Sequence, residues 1–102
     1  MSKKLPMSCT GGIKVKCGVD KIRDTIVFDL GGKCKFTRFH FVDAEHNHYL
    51  PPGFSNSNPP SGGGDEISYE YDGSGMAENG YDFEYGTDSP LHGNGSGTIK
   101  NR

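Results

Sequence analysis

The sequence predicts an all-β fold, a small antiparallel two-sheet β-sandwich of about six to seven strands. Three observations carry the prediction. Apolar residues recur with period two rather than 3.6. Sixteen Gly and six Pro punctuate the chain with turns. No window reads as an amphipathic helix.

The elements follow in order. Ile13, Val15 and Cys17 alternate with Lys14 and Lys16, and Ile26, Phe28 and Leu30 alternate with Val27 and Asp29. Each is a strand with one buried and one wet face. Between the second of these and the strand from Cys34 to about Val42 lies Gly31-Gly32-Lys33. If the two strands form a hairpin, a three-residue loop pairs Leu30 with Cys34, Phe28 with Phe36 and Ile26 with Arg38, keeping the apolar set together, with a Gly at positive φ. The Cys34–Val42 strand changes phase: Cys34 and Phe36 share one parity, Phe39 and Phe41 the other. A β-bulge near Thr37–Arg38 restores a common inward face and turns Arg38 and His40 outward; the alternative is a central strand buried on both faces.

Residues 51–64, rich in Pro, Gly, Ser and Asn, read as a long loop, either a mobile excursion or a binding loop anchored by Phe54. Ile67, Tyr69 and Tyr71 define a further strand, and Tyr81, Phe83 and Tyr85 another. These aromatics are expected to face one another across a hairpin, as core or, if left uncovered, as an interface. A short last strand around Gly97–Asn101 follows a flexible run at 92–96, and an additional strand is expected in 1–9 or 43–50.

At 102 residues the chain is read as a single domain spanning 1–102. Residues 1–40 carry nine basic and three acidic side chains, a charge of +6, whereas 41–102 carry two basic and ten acidic, a charge of −8. Either the two halves interleave across neighbouring strands, or a dipolar surface favours head-to-tail self-association. The basic residues are spread among apolar ones, which argues against nucleic acid. The absence of Trp weakens a sugar-stacking role. No apolar stretch approaches a membrane span. No apolar segment follows the basic start as in a signal peptide, so the expected location is cytoplasmic. Cys9, Cys17 and Cys34 are then expected as free thiols, with Cys9–Cys17 or Cys17–Cys34 as the bridges considered for an exported chain.

The rhythm of short strands resembles immunoglobulin-like or cupredoxin-like sandwiches in general pattern. Gly80-Tyr81-Asp82-Phe83-Glu84-Tyr85 is similar to the penultimate strand of many such domains, where an aromatic pins a corner. The Cys…Trp…Cys pattern of true immunoglobulin domains is missing, and all three Cys lie in the first third, away from where a cupredoxin ligand loop sits.

The only crowding of metal-ligating residues is His46-Asn47-His48, with His40 before it and Asp43 and Glu45 between. In an extended segment His46 and His48 point the same way. With His40 or His92 as a third nitrogen, such a set could hold Zn or another transition metal; the competing reading is surface histidines in a polar loop. No Glu follows the His-x-His as in cupins. Asp72–Gly80 is rich in oxygen ligands but lacks the EF-hand pattern, and reads as a hairpin loop. No catalytic constellation and no cofactor motif are legible. The expected function is therefore non-enzymatic: protein binding or self-assembly through a sheet edge or face. Metal binding by the histidines is the alternative. A weaker one is a small-molecule or glycan module using Tyr49 and Phe54; Tyr69 and Tyr71 complete the candidate interface residues.

Overall fold

The computed structural model describes residues 2–10, 14–58, 64–91 and 93–102. These form nine strands and no helix: β1 Ser2–Pro6, β2 Val15–Val19, β3 Asp24–Asp29, β4 Phe36–Val42, β5 His48–Tyr49, β6 Phe54–Asn58, β7 Glu66–Tyr71, β8 Tyr81–Thr87 and β9 Asn94–Asn101. Two mixed sheets pack together, one ordered β1-β3-β7-β6 and the other β2-β9-β8-β4-β5. The pairs β1–β3 and β2–β9 are parallel and the rest antiparallel. The all-β, two-sheet expectation holds, with more strands than expected. Both places where an additional strand was expected contain one, β1 and β5.

Period-two alternation places Ile26 and Phe28, Ile67, Tyr69 and Tyr71, and Phe83 and Tyr85 in one shared core. The phase change in β4 is a bulge: pairing with β8 slips between Phe36 and Arg38, so Phe36, Phe39 and Phe41 all face inward. Rings from the two sheets interlock, with Phe28 and Phe39 at 4.5 Å between centroids and Phe39 stacked on Phe83 at 5.2 Å. Such pairs add to the area they bury.

The β3–β4 connection, whose register held only if the strands formed a hairpin, and the expected β7–β8 hairpin are both crossings between sheets. β3 lies beside β1 and β7, and β4 beside β8 and β5. Gly31 and Gly32 do take positive φ, 70° and 77°, but in a crossover turn. A hairpin would set Phe28 beside Phe36 on one sheet. The crossing sets β3 opposite β4, so each ring is covered from both sides. By the same logic β7 and β8 belong to different sheets, and their aromatics meet through the core, not across a ladder.

The loop reading of 51–64 is corrected at its centre. Phe54–Asn58 is β6, an edge strand on β7, while residues 59–63 lie outside the described residues. Phe54 is buried against Phe41, Tyr71 and Tyr69. An edge strand needs only one such anchor, and Ser and Asn around it hide the pattern. The last strand is likewise longer than expected. Gly95 and Gly97 lie opposite Tyr85 and Phe83, and a Cβ at either would collide with the facing ring. The glycines that resemble a flexible run are the space into which two aromatics fit.

The cysteines differ from both expectations. Cys9 and Cys34 form a disulfide with Cα atoms 6.0 Å apart, and Cys17 is free and buried. Strand parity turns Cys17 into the core. The β3–β4 crossover carries Cys34 to the segment after β1, which no count of spacings reveals. The same segment is held by the Tyr85 hydroxyl donating to the Ser8 carbonyl (2.9 Å) and the Thr87 hydroxyl donating to the Cys9 carbonyl (2.8 Å).

Candidate functional site

The site with most chemistry lies on the outer face of the five-stranded sheet, where β4 meets β5. After the bulge, Arg38 and His40 point outward from β4. The chain then turns tightly over residues 43–47. The Asp43 carboxylate accepts from the Glu45 and Asn47 amides, both at 2.9 Å, and the Asp43 amide donates to the Asn47 carbonyl. These amides, Asn47 foremost, hold the Asp43 carboxyl below its usual value. His46 takes the left-handed conformation (φ 63°) that closes the turn, a region in which His is enriched among non-Gly residues. β5 then returns antiparallel, with Val42 opposite His48 and Phe41 opposite Tyr49.

This geometry re-sorts the histidines. His46 and His48 were expected side by side on an extended segment, but the left-handed turn separates them. His46 Nδ1 reaches Glu84 Oε2 of β8 at 3.0 Å. His48 instead stacks on His40, with ring centroids 3.8 Å apart and planes 9° from parallel. Glu84 is the cross-strand neighbour of His40, so His40, His46, His48 and Glu84 share one patch. Glu84 gave no sequence signal beyond a polar strand position. His92 lies outside the described residues.

Partial burial lowers the His40 pKa from its ordinary 6.5, reinforced by the charges of His48 and Arg38 and opposed by Glu84. Partial burial and the stacked neighbour therefore disfavour the protonated form of His40. Stacked rings present their nitrogens side by side, not converging on a point. Among the described residues no three His, Cys, Asp or Glu side chains are placed to hold a metal ion. A metal on this patch requires His40 and His48 to rotate out of the stack.

Of the four residues singled out as interface candidates, only Tyr49 reaches the surface, at 37% exposure, next to Leu50 at 51%. Phe54, Tyr69 and Tyr71 are core. A hollow of about 170 Å³ adjoins the turn, lined by Lys14, Val42, Asp43, His46, Asp82 and Glu84 among others.

The remaining candidates are structural. Asp72–Gly80 links the two sheets: the Asp72 carboxylate accepts from the Ser74 amide, the Tyr71 hydroxyl from the Gly75 amide, and Asn101 Oδ1 from the Met76 amide. The Asp72 carboxylate is thus engaged by the loop's own turn, and the loop amides are tied to Tyr71 and Asn101. Burial pushes the Cys17 thiol up to about 11, so it stays protonated and a poor nucleophile at neutral pH.

Compared with known proteins, the chain matches no family model, no curated protein and no solved structure. Fold and site define an all-β protein of two packed mixed sheets with a histidine-bearing corner. No helix is long and apolar enough to cross a membrane among the described residues.

Proposed function

We propose that this is a non-enzymatic β-sandwich of immunoglobulin-like type that acts by self-association through the β4–β5 corner. The strand orders β1-β3-β7-β6 and β9-β8-β4-β5 match the ABED and GFCC′ sheets of such domains; β2 added beside β9, and the parallel β1–β3 and β2–β9 pairs, depart from that antiparallel scheme.

One observation carries the functional reading. β5 covers β4 only at Phe41 and Val42, while β4 begins at Phe36. The Phe36 amide donates to the Gly64 carbonyl at 2.8 Å, and from Thr37 to His40 the β4 edge has no strand beside it among the described residues. An uncovered edge is a template for an incoming strand, and exposed Tyr49 and Leu50 beside it supply apolar contact. A second copy presenting the same edge about a two-fold axis satisfies both.

Sedimentation velocity over a wide concentration range tests this. Concentration-dependent dimerisation, lost in Tyr49→Ser/Leu50→Ser, is the expected result. A strict monomer up to millimolar concentration overturns the reading.

Transition-metal binding by His40, His46 and His48 is the second reading, supported by their gathering around Glu84. Metal analysis of tag-free protein beside His46→Ala/His48→Ala decides it: a stoichiometric metal lost in the variant supports the site. The small-molecule reading is weakened, because Phe54 is committed to the core.

A further inference from the structure

The sequence concentrates positive charge in its first forty residues and leaves only Lys100 and Arg102 as basic residues after position 41. The parallel β2–β9 pairing brings both of these back to β2. Lys16 lies opposite Thr98 and Gly18 opposite Lys100, so Lys16 and Lys100 are diagonal neighbours on the outer sheet face. Arg102 runs along β2, its Nε donating to the Gly18 carbonyl at 3.1 Å and facing Asp20. A groove of about 330 Å³ opens here, lined by Lys14, Lys16, Gly18, Asn79, Thr98 and Lys100 together with Cys17.

The charges in this groove are unevenly compensated. Lys14 pairs with Asp82 at 3.3 Å, and the same carboxylate accepts the Thr98 hydroxyl at 2.6 Å. Lys16 and Lys100 are exposed and have no ion pair among the described residues. Lysines on β2 have a structural purpose, since β2 is an edge strand and charge there deters edge-to-edge pairing. That purpose does not extend to Lys100. β9 is an inner strand, paired on both sides by β2 and β8. A chain of net charge −2 that gathers three ammonium groups in one concavity, two of them uncompensated, focuses a positive potential there.

The geometry points to an oxyanion-binding site in this groove, for a phosphate or sulfate group carried on a larger ligand. Lys16 and Lys100 supply the charge and Asn79 a neutral amide donor. Gly18, between the two lysines, leaves room for the Arg102 side chain, whose Cγ would lie 3.2 Å from a Cβ there. Lys14 stands at the rim, already held by Asp82. The groove shares Lys14 with the hollow beside the β4–β5 turn, but Lys16 and Lys100 do not line that hollow.

Amide chemical-shift titrations of the full chain with glycerol phosphate and with a sulfated disaccharide test the proposal and separate the two sources of the anion. Saturable shifts centred on Lys16, Gly18, Asn79, Thr98 and Lys100 with either probe are the expected result. Lys16→Gln/Lys100→Gln should weaken binding by about tenfold or more while melting like the wild type. Lys33→Gln/Lys35→Gln removes the same charge outside the groove lining and should bind as the wild type does. Shifts that never saturate with either probe overturn the site. Equal weakening in both double variants also overturns it, by reducing the effect to overall charge.

Discussion

Removing the Cys9–Cys34 bridge is the perturbation whose magnitude the structure states most directly. The two residues are 25 apart in sequence and close a loop containing β2 and β3. For a loop of that length the chain-entropy model assigns about 3.5 kcal/mol of stabilisation, exerted by restricting the unfolded chain. Against a typical domain stability of about 5–15 kcal/mol that is a large share. The folded side changes less, because the Tyr85 and Thr87 hydroxyls still hold the Ser8 and Cys9 carbonyls when the sulfurs part. Cys9→Ser/Cys34→Ser, and wild type under reductant, should therefore unfold at lower urea concentration, by an amount equivalent to about 3–4 kcal/mol. Thiol labelling supplies the companion measurement. Unreduced protein should show one thiol when denatured, Cys17, and that thiol should resist reagent in the native state because it is buried. A stability loss below about 0.5 kcal/mol would refute the loop-closure argument. Three titratable thiols in denatured, unreduced protein would refute the bridge.

Two further outcomes follow from the same contacts. The lowered His40 pKa means the unfolded chain binds a proton more readily than the folded one, so stability is full above pH 6.5 and falls as the pH drops below it towards the depressed folded value. NMR titration should find His40 below 6.5, moving upward in His48→Ala; a His40 value at or above 6.5 contradicts the stack. Gly97→Ala should lower the melting temperature, because its Cβ would meet the Phe83 ring and, at 2.6 Å, the Val15 carbonyl oxygen; overpacking of this kind costs about 1–3 kcal/mol, and an unchanged melt would show that β9 lies elsewhere.

The strands that alternate strongly were legible because alternation reports directly which residues face the core. The β4 bulge was legible for the same reason, since a change of phase is visible wherever both phases are apolar. What alternation does not report is which sheet a strand joins. Phe28 and Phe36 point inward equally well as hairpin partners or as rings from opposite sheets, so the β3–β4 and β7–β8 crossings stayed hidden, and the Cys9–Cys34 bridge with them. β6 escaped because Phe54 is its one aromatic anchor, and the first part of β9, residues 94–96, because Gly95 acts through what it leaves empty. At the site, the histidines were visible as a group. Their pairing was not, since it turns on one left-handed residue, His46, and on Glu84 arriving from β8.

β8 organises the outer face of the five-stranded sheet. It lies between β9 and β4 and carries Asp82 and Glu84 outward. Asp82 takes one lysine, Lys14, from the β2 side, and Glu84 takes one imidazole, His46, from the β5 side. Each acid thus engages one group from its own flank and leaves a pair beyond it: Lys16 with Lys100 at one end, His40 with His48 at the other. The segregation of charge along the chain is therefore only partly cancelled by cross-strand pairing, as in Lys4 with Glu66 and Lys14 with Asp82. Parallel pairing of the last strand with β2 concentrates the remainder, because it returns the two late basic residues to the strand that already carries lysine. The positive groove exists because β9 has β2 as its second neighbour, which sets Lys100 diagonally beside Lys16.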